Sequence, residues 1–312
     1  MESLYIAGTA MFSVFAFLAL GYLLKRRTLV DETFLKKLNS LVFRVFLTAT
    51  LFGNIYEAEL SGGKTVTLLA FGVGVNVAVF LLLMIFIPRV EPEQRNRGVM
   101  VQGAFRGNFL LLGLPILRSI YGHENIGAAS ALIAAIVPVY NVLSVLALEA
   151  FQGQALSRKK LLLGLCRNPL LVAALLAVLA KLGRVPLPGF LLVTLQSLED
   201  AATPLALIVL GGTFRFSQLR GSGQRVALCI LCKLILFPAA VVSLAVACGF
   251  RGVELSALMV MSASSTAVSS FTMAQQVDAN DILAGQIVVA TTLCSMLTLF
   301  LWILALKELA LI

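Results

Sequence analysis

The chain has 312 residues, 60% hydrophobic and only 12% charged, with a mean hydropathy of +0.99 and a formal net charge of +9. Ordinary globular domains run near 45–50% apolar and about 25% charged. This composition excludes a soluble enzyme, a disordered chain and a nucleic-acid-binding domain, and it places the protein in a lipid bilayer.

Uncharged runs at 6–24, 65–87, 126–148, 255–277 and 282–306 are each long enough to cross a hydrocarbon core, which takes roughly 20 helical residues. A transmembrane barrel would show short alternating segments, so the expected class is an all-α membrane protein. The N-terminus opens with Glu2, and its basic cluster Lys25, Arg26 and Arg27 follows the apolar run. That order suits a retained first span better than a signal peptide. Admitting spans interrupted by isolated charges predicts ten: about 5–24, 36–55, 65–87, 99–119, 126–149, 161–181, 190–213, 226–249, 255–277 and 282–306.

Basic residues orient the spans. With the N-terminus outside, 15 of the 24 Lys and Arg fall on the cytoplasmic side, six outside and three within spans. The expectation is therefore a multi-pass protein of the cytoplasmic (inner) membrane with both termini outside, its basic loops held by lipid head groups. The basic loop 152–160 separates residues 1–151 from 161–312, five spans on each side. An odd number inverts the second half relative to the first, as in the inverted repeats of many secondary transporters.

Within the fourth span, Arg106, Gly107, Asn108, Gly113 and Pro115 do not suit an unbroken helix. Glycine permits unusual backbone angles, and proline is tolerated best at the start of a helix. The expected interruption lies near residues 113–114, with a new helix from Pro115 whose free N–H groups face inward. A simple proline kink is the alternative. Arg106 either helps to attract an anion or reaches toward head groups. Asn141 in the fifth span and Asn108 each offer an amide, with two donors and one acceptor and no cost of ionisation. In the seventh span Glu199 and Asp200 precede an expected break at Ala202-Thr203-Pro204; they either carry a coupling proton or cation or sit in an outward-facing vestibule. Lys233 in the eighth span divides between the same roles as Arg106. Cys229 and Cys232 lack a second ligand pair, and the single histidine, His123, is distant, so they read as small membrane-core residues. The ninth span carries seven hydroxyls between Ser262 and Thr272, among them Thr266, Ser269 and Ser270. These can re-satisfy a broken backbone, act as ligands or simply pack helices together.

The ordered set Gly107, Asn108, Gly113, Pro115, Tyr121 and Gly122, then Tyr140-Asn141, Asn168-Pro169 and the Ala202–Gly212 segment, resembles the auxin efflux carrier family across essentially the whole chain. It is most similar to bacterial members described as malate or malonate permeases. The resemblance implies ten transmembrane helices in two inverted five-helix repeats, with crossing broken helices in spans 4 and 9. It implies a fold similar to that of bile-acid transporters and sodium/proton antiporters, with spans 1, 2, 6 and 7 as scaffold and the rest as a moving bundle. This chain departs from it in the ninth span, which has serines and threonines where many members have a proline.

The function expected is a secondary carrier of a small organic anion, a carboxylate or dicarboxylate, working by alternating access. Substrate ligands would come from Arg106, Gly107, Asn108, Gly113, Pro115, Asn141, Thr266, Ser269 and Ser270. Glu199, Asp200 and Lys233 are candidates for coupling to a proton or sodium ion, and a homodimer is compatible with the sequence. No metal or cofactor is expected, since clustered His, Asp and Glu ligands and a nucleotide loop are absent. A membrane sensor or channel is the alternative. An intramembrane enzyme fits less well, because nothing completes a Ser-His-Asp set.

Overall fold

The computed structural model describes residues 2–57, 63–109, 113–121, 127–151, 169–213 and 222–312. Among these residues the architecture is all helical, and the sole strand-like contact is one antiparallel bridge. The helices of the first half are α1 (Glu2–Arg26), α2 (Glu32–Leu41), α3 (Leu47–Glu57), α4 (Gly63–Val90), α5 (Gln94–Phe105), α6 (Leu114–Tyr121) and α7 (Gly127–Ala150). Those of the second are α8 (Pro169–Leu182), α9 (Gly189–Thr213), α10 (Gly223–Leu231), α11 (Phe237–Ala247), α12 (Gly252–Ala263), α13 (Ser269–Gln276) and α14 (Asp281–Glu308). Among the described residues, six continuous stretches are long and apolar enough to cross a membrane: Glu32–Tyr56, Thr65–Val90, Gly127–Ala150, Gly189–Thr213, Gly223–Ala247 and Asp281–Glu308.

Helix is the form that pairs every backbone group within a segment, which lipid demands. Local departures are repaired from the side. α2 joins α3 through one π-helical turn, Val42–Phe46, and α10 joins α11 through another, Cys232–Leu236. Such turns free a carbonyl from the regular ladder. Thr48 Oγ1 donates to the Phe43 carbonyl (3.1 Å), and Trp302 Nε1 donates to the Leu234 carbonyl (3.0 Å).

Pro204 lies inside α9, which runs from Gly189 to Thr213 without interruption. The break expected at Ala202–Pro204 is therefore corrected: proline removes one N–H from a helix but does not by itself end it inside a membrane, where neighbours compensate. Between α5 and α6 the chain leaves the helical path earlier than residues 113–114. α5 ends at Phe105, Arg106 is extended (φ −75°, ψ 114°), and α6 already includes Pro115 in its first turn. Proline suits the start of a helix, so it begins α6 and does not mark the extended stretch. α12 likewise ends at Ala263 in extended Ser264, and α13 begins at Ser269 without any proline.

The helices sort into two bundles. α1, α2, α3, α8 and α9 pack together, α4, α5, α7 and α10 to α14 form the other body, and α6 packs chiefly on α1 and also touches α7 and α12. α1 and α9 meet backbone to backbone: a Cβ added at Gly21 would strike the Ile208 carbonyl, and one at Gly211 the Leu18 carbonyl. Close approach at small residues is how helices gain packing energy where lipid removes the hydrophobic drive. At one face of the second body, Arg225 of α10 grips Glu91 with two hydrogen bonds (2.6 and 3.2 Å). Asn96 of α5 donates to the same carboxylate (3.1 Å), and Asn280, the N-cap of α14, donates to Asn96 (2.8 Å). This clasp joins elements from both halves of the chain.

Candidate functional site

The extended residues after α5 and α12 meet inside the second body. Gly107 pairs with Thr266 in the antiparallel bridge, and the Asn108 N–H donates to the Ser265 carbonyl at 2.7 Å. A Cβ at Gly107 would lie 2.6 Å from Ser264 Oγ, 2.8 Å from the Met261 carbonyl and 3.1 Å from Lys233 Nζ. Only glycine lets the two chains come this close.

Helix ends leave carbonyls without partners, and here side chains fill the gap. Lys233 is fully buried and donates to the carbonyls of Phe105 (3.3 Å) and Ser262 (2.7 Å), one from the end of each helix. Thr266 Oγ1 donates to the Gly103 carbonyl (2.7 Å), and the Tyr140 hydroxyl donates to the Met261 carbonyl (3.2 Å). The negative ends of two helix dipoles thus converge on one ammonium group.

Beside this crossing, between the two bundles, lies a cavity of about 90 Å³. One water needs roughly 10–15 Å³ on this measure, so the space suits a small solute. The first bundle supplies Leu47, Thr50, Leu51, Asn54, Thr203 and Ala206. The second supplies Arg106 to Phe109, Tyr140, Asn141 and Ala267 to Ser269, with Val137. On the face where α2 begins, α2 and α13 are joined: Asn39 Nδ2 donates to the Thr272 carbonyl (3.3 Å), and Ser40 Oγ to Gln276 Oε1 (3.4 Å). These contacts lie between the cavity and that face.

Arg106 is the chief polar group of the cavity and is only 4% exposed. One guanidinium nitrogen donates to both Asn141 Oδ1 and Ser269 Oγ, each at 2.6 Å, and the other meets the Met273 sulfur. All three partners are neutral. The ion pairs among the described residues join Lys25 to Glu32 and Arg225 to Glu91 and Glu93, and none reaches Arg106. A guanidinium stays charged in proteins, and a buried charge calls for a counter-charge. The arrangement leaves a buried positive group without a counter-charge at the cavity wall, its outer nitrogens held by neutral acceptors.

Of the residues expected from sequence, Arg106, Gly107, Asn108, Asn141 and Ser269 line this cavity together. Thr266 is committed to the bridge, Ser270 is buried outside the lining, and Gly113 packs against the Phe109 ring. Pro115 sits in the first turn of α6 with its side chain outside the described residues, and Ile116 and Leu117 after it are buried in the core. Lys233 serves the helix ends. Asp200 is exposed and accepts from Gln196 (3.0 Å), and the Glu199 carboxylate approaches Gly53 of α3. Asn54 was missed by the sequence reading. As the one amide in α3 it carried a usable signal, because polar side chains at membrane depth need a partner.

A family profile described as membrane transport protein matches the chain in two segments, residues 6–157 and 154–303. An uncharacterized transporter of Methanothermobacter thermautotrophicus is 25% identical over 294 residues, covering 93% of this chain and 95% of that protein. An uncharacterized transporter of Methanocaldococcus jannaschii is 23% identical over 296 residues, covering 90% and 93% respectively.

Proposed function

We propose, from the premise that the chain belongs to the membrane transport protein family, the family of the auxin efflux carriers, that this transporter is a secondary carrier of a small organic anion, a carboxylate or dicarboxylate. The observation that carries the reading is Arg106, a buried guanidinium with only neutral partners, facing a small cavity between two bundles. The anion's carboxylate would pair with the Arg106 guanidinium in place of its bonds to Asn141 and Ser269, and the freed Asn141 and Ser269, with Asn108, would complete its hydrogen bonds.

The position of that cavity supports alternating access. A solute seated between two separately packed bundles is exposed to one side or the other as they rock. With both termini outside, the α2–α13 contacts would lie on the cytoplasmic side of the cavity. In this reading the chain forms ten spans in two inverted repeats, and the non-helical segments at 106–108 and 264–267 are the breaks of spans 4 and 9. Lys233 acts as a fixed cation at the crossing. Glu199, where α9 meets α3, is then the group placed to carry a coupling proton or sodium ion.

Uptake into proteoliposomes of mono- and dicarboxylates, with imposed proton or sodium gradients, tests the proposal. Saturable uptake that follows a gradient supports a carrier; its absence across the panel with folded protein removes the reading. Asn108→Ala should weaken binding with the melting temperature unchanged, since the backbone bond from Asn108 to Ser265 survives the substitution.

A further inference from the structure

The wall that the first bundle gives the cavity holds a polar atom that the site as described does not use. Asn54 lies on α3, in the first bundle, and lines the cavity. Its Nδ2 is buried and has no hydrogen-bond partner. An amide donor left unpaired away from water costs about 1–3 kcal/mol, so its place in a cavity wall calls for an acceptor from whatever occupies the cavity. The neighbouring Thr50 hydroxyl donates to its own helix at the Phe46 carbonyl (2.9 Å) and does not accept from the Asn54 amide. The remaining walls from this bundle are apolar but for Thr203.

We infer that the Asn54 amide is a specificity-determining ligand: it donates to a second hydrogen-bond acceptor on the transported anion, at the end remote from the carboxylate held by Arg106. This inference rests on the carrier reading above. It adds that the solute is two-ended and touches both bundles at once, with the guanidinium of one and the amide of the other. A one-ended monocarboxylate fills the Arg106 side and leaves Asn54 unpaired. A solute with a second carboxylate satisfies both, and binding then ties the bundles together across the interface on which they move.

The test is a thermal-shift titration of the purified full-length protein with matched pairs, malonate against propionate and succinate against butyrate. Wild type should bind at least one dicarboxylate about tenfold or more tightly than its monocarboxylate partner, the factor expected for a hydrogen bond to a charged group. Asn54→Leu should bring the two affinities together by weakening the dicarboxylate and leaving the monocarboxylate alone. Without ligand it should melt at or above wild type, because a buried unpaired amide has been removed. Asn54→Asp, nearly identical in size, should weaken dicarboxylates still further by placing like charges together, and it serves if the leucine variant fails to fold. Equal loss for both members of each pair, or retained discrimination in the variants, would overturn the inference. Wild-type binding of neither member of any pair, with no carboxylate uptake, removes instead the carrier reading beneath it.

Discussion

Replacing Gly107 with alanine probes the crossing directly. The new methyl group would lie 2.6 Å from Ser264 Oγ, 2.8 Å from the Met261 carbonyl and 3.1 Å from Lys233 Nζ. Ser264 can rotate, giving up a long bond to the Met261 carbonyl (3.4 Å). The carbonyl itself belongs to α12 and moves only with that helix, which is fully buried around Met261. A shift of Lys233 would loosen its bonds to Phe105 and Ser262, the groups that join the two helix ends. Overpacking of a tight interior costs about 1–3 kcal/mol. At roughly 2–4 °C per kcal/mol for chains of 150–250 residues, the melting temperature in detergent should fall by several degrees. Gly74→Ala is the control: it lies in α4 with open space around the added methyl, and alanine is favoured over glycine in helices by about 0.8–1 kcal/mol. Scanning fluorimetry of the two variants should therefore move in opposite directions from wild type. A Gly107→Ala protein that melts with or above wild type would show that the two extended segments are not held as closely as described.

Arg106→Met should leave the melting temperature unchanged or raise it, because an apolar side chain replaces a buried charge with neutral partners, while carboxylate affinity in a thermal-shift titration falls by about thirtyfold or more. Burial by itself raises the pKa of Glu91, but the hydrogen bonds from Arg225, Asn96 and the Glu93 N–H, with the Arg225 charge, outweigh it and hold the carboxyl below its usual value of about 4.5. A depressed folded-state value means the clasp's contribution is present above that pH and is lost as pH falls through the lower value; pH-dependent melting should show this loss in wild type and a weaker one in Glu91→Gln. Gly211→Ala, which drives a methyl into the Leu18 carbonyl, should separate α1 from α9 and lower the yield of monodisperse protein on size exclusion. Cysteines placed in the 152–160 loop should react with impermeant thiol reagents only from the cytoplasmic side.

Much of this protein is written in composition. Long apolar runs with few charges dictate helices in a membrane, because lipid offers the backbone no other partner. The residues around Arg106, Gly107, Asn108 and the hydroxyl row from Ser262 to Thr272 also stood out in the chain, since each is costly at that depth unless it serves a purpose. What those residues do is a different matter. Proline looked like the mark of a break at Pro204, yet that residue lies in an unbroken α9, whereas Pro115 lies in the first turn of a helix as expected. The extended stretch includes Gly107, where the end of α12 lies too close to admit a side chain, and the residues that come so close are far away in sequence. The hydroxyl row divided in the same way: Thr266 binds a carbonyl of α5, while Ser269 meets Arg106 at the cavity.

Hydropathy and backbone preference are local properties, so the sequence by itself determined that the chain is helical, lies in the bilayer and carries polar groups at two interior places. Which atoms meet is not local. Only the tertiary structure decided that Arg106 lacks a charged partner, that Lys233 is consumed by two helix ends, and that Asn54 of one bundle faces the same small cavity from the other side. The physical reason is that a buried polar group is defined by what surrounds it, and those surroundings are assembled from helices that the chain brings together only on folding.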